Sequence, residues 1–104
     1  MKSLFARDHG LRLHSESDAL DVLSIGLPAC IFFVDDLHRE FFDLSNGVAG
    51  GIFQKFVNYR FRVAFIMGDM QQRNQRVKEL MIDHKNHPYI RFFANAEDAT
   101  TWLT

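Results

Sequence analysis

Three aspartates follow the two most apolar segments of the chain. Asp35 and Asp36 come after "ACIFFV", and Asp69 comes after "FRVAFIMG". If both segments are parallel strands, these carboxylates meet at the carboxyl edge of the sheet, where open α/β folds bind ligands. Carboxylates there can hold a divalent cation or transfer protons. Aspartate is also common in the turns that end strands, so a purely structural role is the alternative.

A second chemical pattern is "DHKNH", residues 83–87, at the end of a predicted helix. His84 and His87 are three positions apart, a spacing that can bind zinc together with Asp83. The alternative is that polar side chains simply occupy the last helical turn, where the helix dipole favours them. The spacing predicts no third histidine ligand, and no cofactor motif is present. We therefore expect neither a metal nor a cofactor.

The glycine-rich segment "NGVAGG", residues 46–51, stands at the start of a predicted helix. Asn46 suits the N-cap, and the free N–H groups of a first helical turn attract anions. No P-loop or dinucleotide-binding pattern is present, and the glycines also permit close packing of the helix against the sheet. The candidate ligand site lies in a crevice between this helix start and the carboxyl edge of the sheet. It comprises Asn46, Gly47, Gly50, Gly51, Asp35 and Asp69.

Five aromatic rings lie between positions 41 and 59. Helical spacing assigns Phe53 and Phe56 to the core. Phe41 and Phe42 are adjacent, so on a regular helix or strand they cannot both point inward. An exposed ring beside the amphipathic Tyr59 favours a protein interface or a dimer. We therefore expect Phe41, Phe42 and Tyr59 to form an interaction surface.

The hydrophobic period switches repeatedly between strand-like and helix-like, which is typical of an alternating α/β domain. The helices and strands of that domain position the residues named above. Buried strands are expected at 29–34, 61–68 and 89–94, with shorter strand-like segments at 3–6 and 11–14. Helices are expected at 15–26, 48–60, 71–87 and 95–103, and 37–44 is expected to be a short helix or an ordered loop. Helical crossovers make neighbouring strands parallel. The predicted fold is a small, mostly parallel sheet of four to five strands in one domain over residues 1–104.

Composition and charge narrow the function classes. Of 104 residues, 47% are hydrophobic and 24% are charged, which excludes the disordered and collagen-like classes. Residues 1–54 carry four basic and eight acidic groups, whereas residues 55–91 carry eight basic and three acidic groups. The basic segment either meets an acidic partner or is a solvated face; without a nucleic-acid motif we expect no nucleic acid. The lone Cys30 excludes an intrachain disulfide, and the lack of a signal or membrane-spanning segment predicts a cytoplasmic protein.

Three stretches together resemble a bacterial family catalogued as domain of unknown function 4180: "SESDALDVL", "FFDLSNGVAGGIFQKFVNYRFRVAFIMGD" and "IRFFANAEDATTWL". The resemblance covers nearly the whole chain, although the N-terminal strand is short or missing. That family is similar in layout to the STAS domains of anti-sigma-factor antagonists and to their SpoIIAA-like relatives. The resemblance implies helices alternating around a four- or five-stranded sheet, no known catalytic activity, and a role in protein interaction or small-ligand sensing.

The resemblance also singles out three residues. Ser45 is similar to the serine before a helix that is phosphorylated in anti-sigma antagonists, where added charge switches partner binding. A serine turn that bonds its own backbone is the alternative. In the family pattern Thr is usual where Asn46 stands and Glu where Gly51 stands. If those side chains carry a family function, this chain has lost or altered it.

Two functions follow as hypotheses. The first is a non-enzymatic interaction or regulatory module that binds a protein partner, or a second copy of itself, through residues 41–60. The alternative is a small-anion-binding domain, or an enzyme, that uses the crevice near Asp35, Asp69 and the helix start at 46–51.

Overall fold

Helices and strands alternate along the chain, and a computed structural model describes them for residues 3–37 and 47–104. The strands are β1 (Ala29–Phe33), β2 (Arg62–Ile66) and β3 (Ile90–Phe93). The α-helices are α1 (Glu16–Ser24), α2 (Val48–Asn58), α3 (Met70–Arg73), α4 (Gln75–Asp83) and α5 (Ala96–Leu103), and short 3-10 helices cover Ala6–His9 and Val34–Asp36. The predicted small α/β class is confirmed.

The sheet is parallel, in the order β1-β2-β3. Ala29 lies opposite Arg62 at the start of the first pair, and Val63 lies opposite Ile90 at the start of the second. Because all three strands run the same way, they begin at one edge of the sheet and end at the other. We name these the amino edge and the carboxyl edge. Helices α2 and α4 run back from the carboxyl edge to the amino edge, as parallel crossovers require.

Each face of the sheet has its own apolar cluster. On one face, side chains such as Cys30 and Phe65 form a core with residues of α1, α2 and α4. On the other face, Ile31 and Ala64 belong to a cluster that includes Ala99 of α5. The Phe65 ring stacks on Phe92 with centroids 5.0 Å apart. The many phenylalanines therefore include a stacked group in the core, where each ring buries a large area.

The described residues form three strands rather than four or five. Segment 3–6 makes one parallel bridge, from Phe5 to Ile31, before it turns into the first 3-10 helix. The reason is local, because the Phe5 N–H donates to the Ser3 hydroxyl and the Phe5 carbonyl accepts from Asp8 N–H. Side-chain and turn bonds of this kind compete with a ladder.

Segment 11–14 also forms one bridge rather than a strand, from Leu13 to Leu37. The N–H of His14 donates to Asp18 Oδ2 at 2.8 Å, so the start of α1 uses the backbone group that a longer strand would need. The Ser15 N–H donates to the same carboxylate, so Asp18 satisfies two backbone N–H groups at this helix start.

The predicted helix over 71–87 is two helices. Asn74 has an extended backbone between α3 and α4, and its side chain accepts hydrogen bonds from Arg76 N–H and Val77 N–H. Asparagine competes with a continuous helix by bonding the backbone in this way. Helix α4 also ends at Asp83, four positions before the predicted end. Within the described residues, none of the helices has the length and apolar character needed to span a membrane.

Candidate functional site

The aspartates at the carboxyl edge have different environments. Asp36 is largely buried, and its Oδ2 accepts the Phe33 N–H at 3.1 Å and lies 3.6 Å from Arg7 Nε. Asp69 is exposed and pairs with Arg73 at 2.8 Å, and Asp35 is exposed. Asp36 therefore closes the turn after β1, which is the structural role named as the alternative. Across residues 3–37 and 47–104, no cluster of three or more His, Cys, Asp or Glu side chains is arranged to hold a metal.

The glycines of the candidate ligand site divide into three environments. Gly47 is the N-cap of α2 in a left-handed conformation with φ of 69°. Gly50 faces open space. Gly51 lies against Glu16 at the start of α1, and a β-carbon on Gly51 would stand 2.5 Å from Glu16 Cδ. Gly51 thus permits close helix packing, although against α1 and not against the sheet.

Four predicted site residues lie outside the described residues: Asn46, Phe41, Phe42 and Ser45. Their predicted roles in anion binding, interaction and phosphorylation stay predictions. A side chain at position 51 would have to displace Glu16.

A cavity of about 400 Å³ opens at the corner between α3 and α4. It is lined by Gln72, Arg73, Asn74, Gln75 and Lys78. It adjoins the carboxyl edge through Arg73, the partner of Asp69. Its lining combines two cations with amide side chains, which suits an anion better than a cation.

Tyr59 and Arg60 are held at the amino edge by the end of α2. The Phe61 N–H donates to the Phe56 carbonyl at 2.9 Å, and the Arg60 N–H donates to the Val57 carbonyl at 3.0 Å. The rings of Phe56 and Phe61 lie 5.7 Å apart. These two bonds and this apolar contact form a Schellman motif, which ends many helices. The motif fixes the backbone of Tyr59 and Arg60.

Arg60 occupies the position of this motif that glycine usually fills. Its φ is +53°, and no other non-glycine residue in the described ranges has a positive φ. The left-handed conformation costs an arginine about 1 kcal/mol relative to glycine. Tyr59, directly before it, is 65% exposed. An amphipathic ring and a guanidinium therefore project from a rigid, strained helix end.

Basic residues concentrate at the amino edge, where α2 and α4 end and β2 and β3 begin. Lys55, Arg60 and Lys85 form no ion pair with any residue that the structure describes. The acidic Asp83 ends α4 near this edge, and Ile82, beside it, is 64% exposed. We name this surface the basic edge, defined by Lys55, Tyr59, Arg60, Ile82 and Lys85. Its tyrosine and arginine are residue types enriched in protein interfaces.

Two histidines just after α4 contact each other, with ring centroids 5.4 Å apart. His84 Nδ1 is 2.9 Å from the Leu80 carbonyl, so this nitrogen carries a proton and donates. His87 Nδ1 accepts the N–H groups of Tyr89 and Ile90, both at 3.0 Å. A neutral His87 therefore carries its proton on Nε2, and neither of its nitrogens is free to bind zinc. This geometry argues against a zinc site formed by Asp83, His84 and His87.

The sequence did not reveal the special positions of Arg60 and His87. Glycine is the usual sequence signal for a left-handed helix end, but the residue at this position is an arginine. Pro88 follows His87, so the next N–H groups belong to Tyr89 and Ile90. That spacing is the signal that could have identified His87 as a backbone acceptor.

Comparison with known proteins agrees with the sequence resemblance. No curated protein and no solved structure matches the chain. The model of one protein family, described as Domain of unknown function (DUF4180), matches residues 1–103. Because this match spans nearly all of the sequence, the chain belongs to the DUF4180 family.

Proposed function

We propose that this protein is a non-enzymatic interaction module that binds an acidic protein partner through the basic edge. The observation that carries the proposal is Arg60, an arginine in a left-handed helix end where glycine would be more stable. Backbone strain of this kind concentrates at functional sites, where the side chain offsets its cost. This local cost supports a role for the Arg60 guanidinium outside the fold.

The charges around Arg60 define the kind of partner. Lys55 and Lys85 lie at the same edge and, like Arg60, have no ion-pair partner among the described residues. Unpaired cations attract an acidic surface and accelerate its association. Arg60 can also bind a carboxylate with two parallel hydrogen bonds.

The apolar side chains of the basic edge supply contact area. Tyr59 and Ile82 are 65% and 64% exposed, the two most exposed large hydrophobic residues of the described chain. Tyrosine and arginine are the residue types that most often dominate binding energy in interfaces. Tyr59 was predicted as part of an interaction surface, and it belongs to the surface proposed here, the basic edge.

The proposal includes a STAS-like layout and a cytoplasmic, bacterial setting. Support for the layout comes from the alternation of helices with parallel strands, and from the Phe5–Ile31 bridge beside β1. The lone buried Cys30 is compatible with a reducing compartment.

The test is a selection of peptides from a displayed random library with the native protein as bait, followed by affinity measurement on the enriched peptides. We expect enrichment of Asp and Glu near apolar residues. Tyr59→Ala and Arg60→Gly should each weaken binding at least about tenfold. Arg60→Gly should also stabilise the fold by about 1 kcal/mol, so its loss of binding cannot come from unfolding.

Arg12→Ala is the matched control, because Arg12 is an exposed arginine with no ion pair among the described residues, and it precedes the Leu13–Leu37 bridge, away from the amino edge. It should leave peptide affinity within about twofold of native. Enriched peptides without acidic residues, or equal binding by Arg60→Gly and native protein, would contradict the proposal. Self-association that survives both Tyr59→Ala and Arg60→Gly would contradict it as well.

The second candidate function is binding of a small anion, favoured by the cavity at the α3–α4 corner. Arg73 and Lys78 line this cavity, and Asp69 and Arg73 connect it to the predicted crevice. Titration with inorganic phosphate, monitored by backbone amide NMR shifts, tests this function. Saturable shifts at Asn74 and Gln75 that disappear in Lys78→Ala would support it, and shifts that never saturate would count against it.

A further inference from the structure

His87 uses its side chain to bind the backbone at the start of β3. Its Nδ1 accepts the N–H of Tyr89 and the N–H of Ile90, two and three positions further along the chain. Asn74 makes the same pattern at the start of α4, where its Oδ1 accepts from Arg76 N–H and Val77 N–H. Asparagine Oδ1 and histidine Nδ1 are each bonded to Cγ, so the two side chains perform one task. Only the imidazole can lose its acceptor by taking up a proton.

The rest of the segment depends on the position of His87. Its carbonyl accepts Arg91 Nε at 2.7 Å, and its N–H donates to the His84 carbonyl at 3.1 Å. The Tyr89 carbonyl in turn accepts the Val63 N–H at 2.7 Å, which begins the pairing of β3 with β2. The imidazole thus connects the end of α4 to the first pair of the outer strand.

The groups that face His87 favour its neutral form. His84, at the end of α4, and the Tyr89 ring both contact the imidazole, and Arg91 on β3 donates to the His87 carbonyl. No carboxylate of the described residues forms an ion pair with His87. Burial, followed by the nearby His84 and Arg91, lowers the pKa of His87 from its ordinary value of 6.5.

We propose that His87 is a proton-operated cap, which holds residues 84–89 against the start of β3 when neutral and releases the Tyr89 and Ile90 N–H groups when Nδ1 is protonated. Protonation converts the acceptor into a donor that faces two other donors, so both hydrogen bonds are lost together. The released segment includes Lys85 of the basic edge. Mild acid therefore changes the shape of this surface as well as its charge. The inference rests on the hydrogen bonds of His87 and holds whether or not the basic edge binds an acidic partner.

The test combines two NMR measurements between pH 8 and pH 5 on the full chain. Long-range proton–nitrogen spectra of the imidazoles report which nitrogen of His87 carries the proton. Amide hydrogen exchange, corrected for its intrinsic pH dependence, reports protection at Ile90. We expect an unprotonated Nδ1 at pH 8, a midpoint below 6.5, and a loss of protection of roughly tenfold with that same midpoint.

Two variants distinguish the effect of His87 protonation from that of neighbouring titratable groups. His87→Asn keeps an acceptor at the equivalent position but cannot titrate, so Ile90 should stay protected throughout this pH range. His87→Ala removes the acceptor and should leave Ile90 weakly protected at every pH. A protonated Nδ1 at pH 8 would overturn the proposal. It would equally be overturned if His87→Asn kept the pH dependence of the native protein, because His84 would then be its source.

Discussion

Gly51 and Glu16 meet so closely that a β-carbon on Gly51 would stand 2.5 Å from Glu16 Cδ and 2.6 Å from its Oε1. The side chain at the start of α1 thus lies across the backbone of α2. Gly50, one position earlier in the same helix, has open space where its β-carbon would be. The two glycines therefore differ in the space around them, and alanine substitutions at the two positions should change stability by different amounts.

Gly50→Ala should stabilise the protein by roughly 0.5–1 kcal/mol, because alanine favours a helix and no atom opposes its methyl group. Gly51→Ala should gain less, since the Glu16 side chain must move. Chemical denaturation measures both free energies of unfolding. Addition of Glu16→Ala should restore the full gain of Gly51→Ala. An equal gain for both alanines in the native background would show that Glu16 moves without cost.

Asp36→Ala should destabilise the protein by about 1–2 kcal/mol, because the Phe33 N–H and Arg7 both lose a carboxylate partner. Asp35→Ala, at the neighbouring exposed position, is the control and should change stability by less than about 0.5 kcal/mol. Thermal or urea unfolding of the two variants provides the comparison. If the two variants lost the same stability, Asp36 would have no special role in the turn.

Asn74→Ala should cost about 1 kcal/mol, because the N–H groups of Arg76 and Val77 would lose their acceptor at the start of α4. Asn74→Asp keeps an acceptor and should retain most of the stability. The measurement is the denaturation midpoint of each variant. Retention of native stability by Asn74→Ala would indicate that α3 and α4 can join into one continuous helix.

Cys30 should be unreactive in the native protein. It is completely buried, and burial raises the pKa of its thiol to about 12, so almost no thiolate exists near neutral pH. A disulfide reagent at pH 8 should label the unfolded chain at once and the native chain only as fast as it opens. Rapid labelling under native conditions would show that β1 is exposed by frequent local opening.

His87 should make the free energy of unfolding depend on pH. Its pKa is lowered in the folded state, mainly by burial, so the unfolded chain binds more protons in the window below 6.5. The stability that neutral His87 contributes is complete above pH 6.5 and is lost as the pH falls through the folded-state pKa. Denaturation at pH 7.5 and pH 5.5 should show a smaller loss in His87→Asn than in the native protein. An equal loss in both would assign the acid sensitivity to other groups.

Local patterns explain most of what could be predicted of the fold. The continuous apolar runs around Phe32 and Phe65 predicted the central strands, and their side chains are buried in the sheet. Asn95 was predicted to begin α5, and its side chain accepts the Asp98 N–H. These features depend on residues a few positions apart, so the sequence displays them directly. The N-terminal strands were harder, because Ser3 and Asp18 bind backbone groups that a ladder would use.

The candidate sites depended on distances that a sequence does not contain. Asp35, Asp69 and the glycines were grouped because parallel strands end at one edge. In the structure Asp69 pairs with Arg73, and the Glu16 side chain packs against Gly51. Each of these partners lies on a helix whose exact rotation sets the contact. The same holds for His84, which was assigned to a last helical turn and lies edge-on to the Phe92 ring of β3.

By itself, the sequence determined the alternation of helices and strands, the parallel direction of the sheet and the family, because hydrophobic period and helix caps act over short stretches. The tertiary structure decided which polar groups satisfy one another. It placed an arginine in a left-handed helix end and an imidazole beneath two backbone N–H groups. Those positions follow from the closure of the whole chain around its core, where the packing of distant residues overrides the preference of each residue alone.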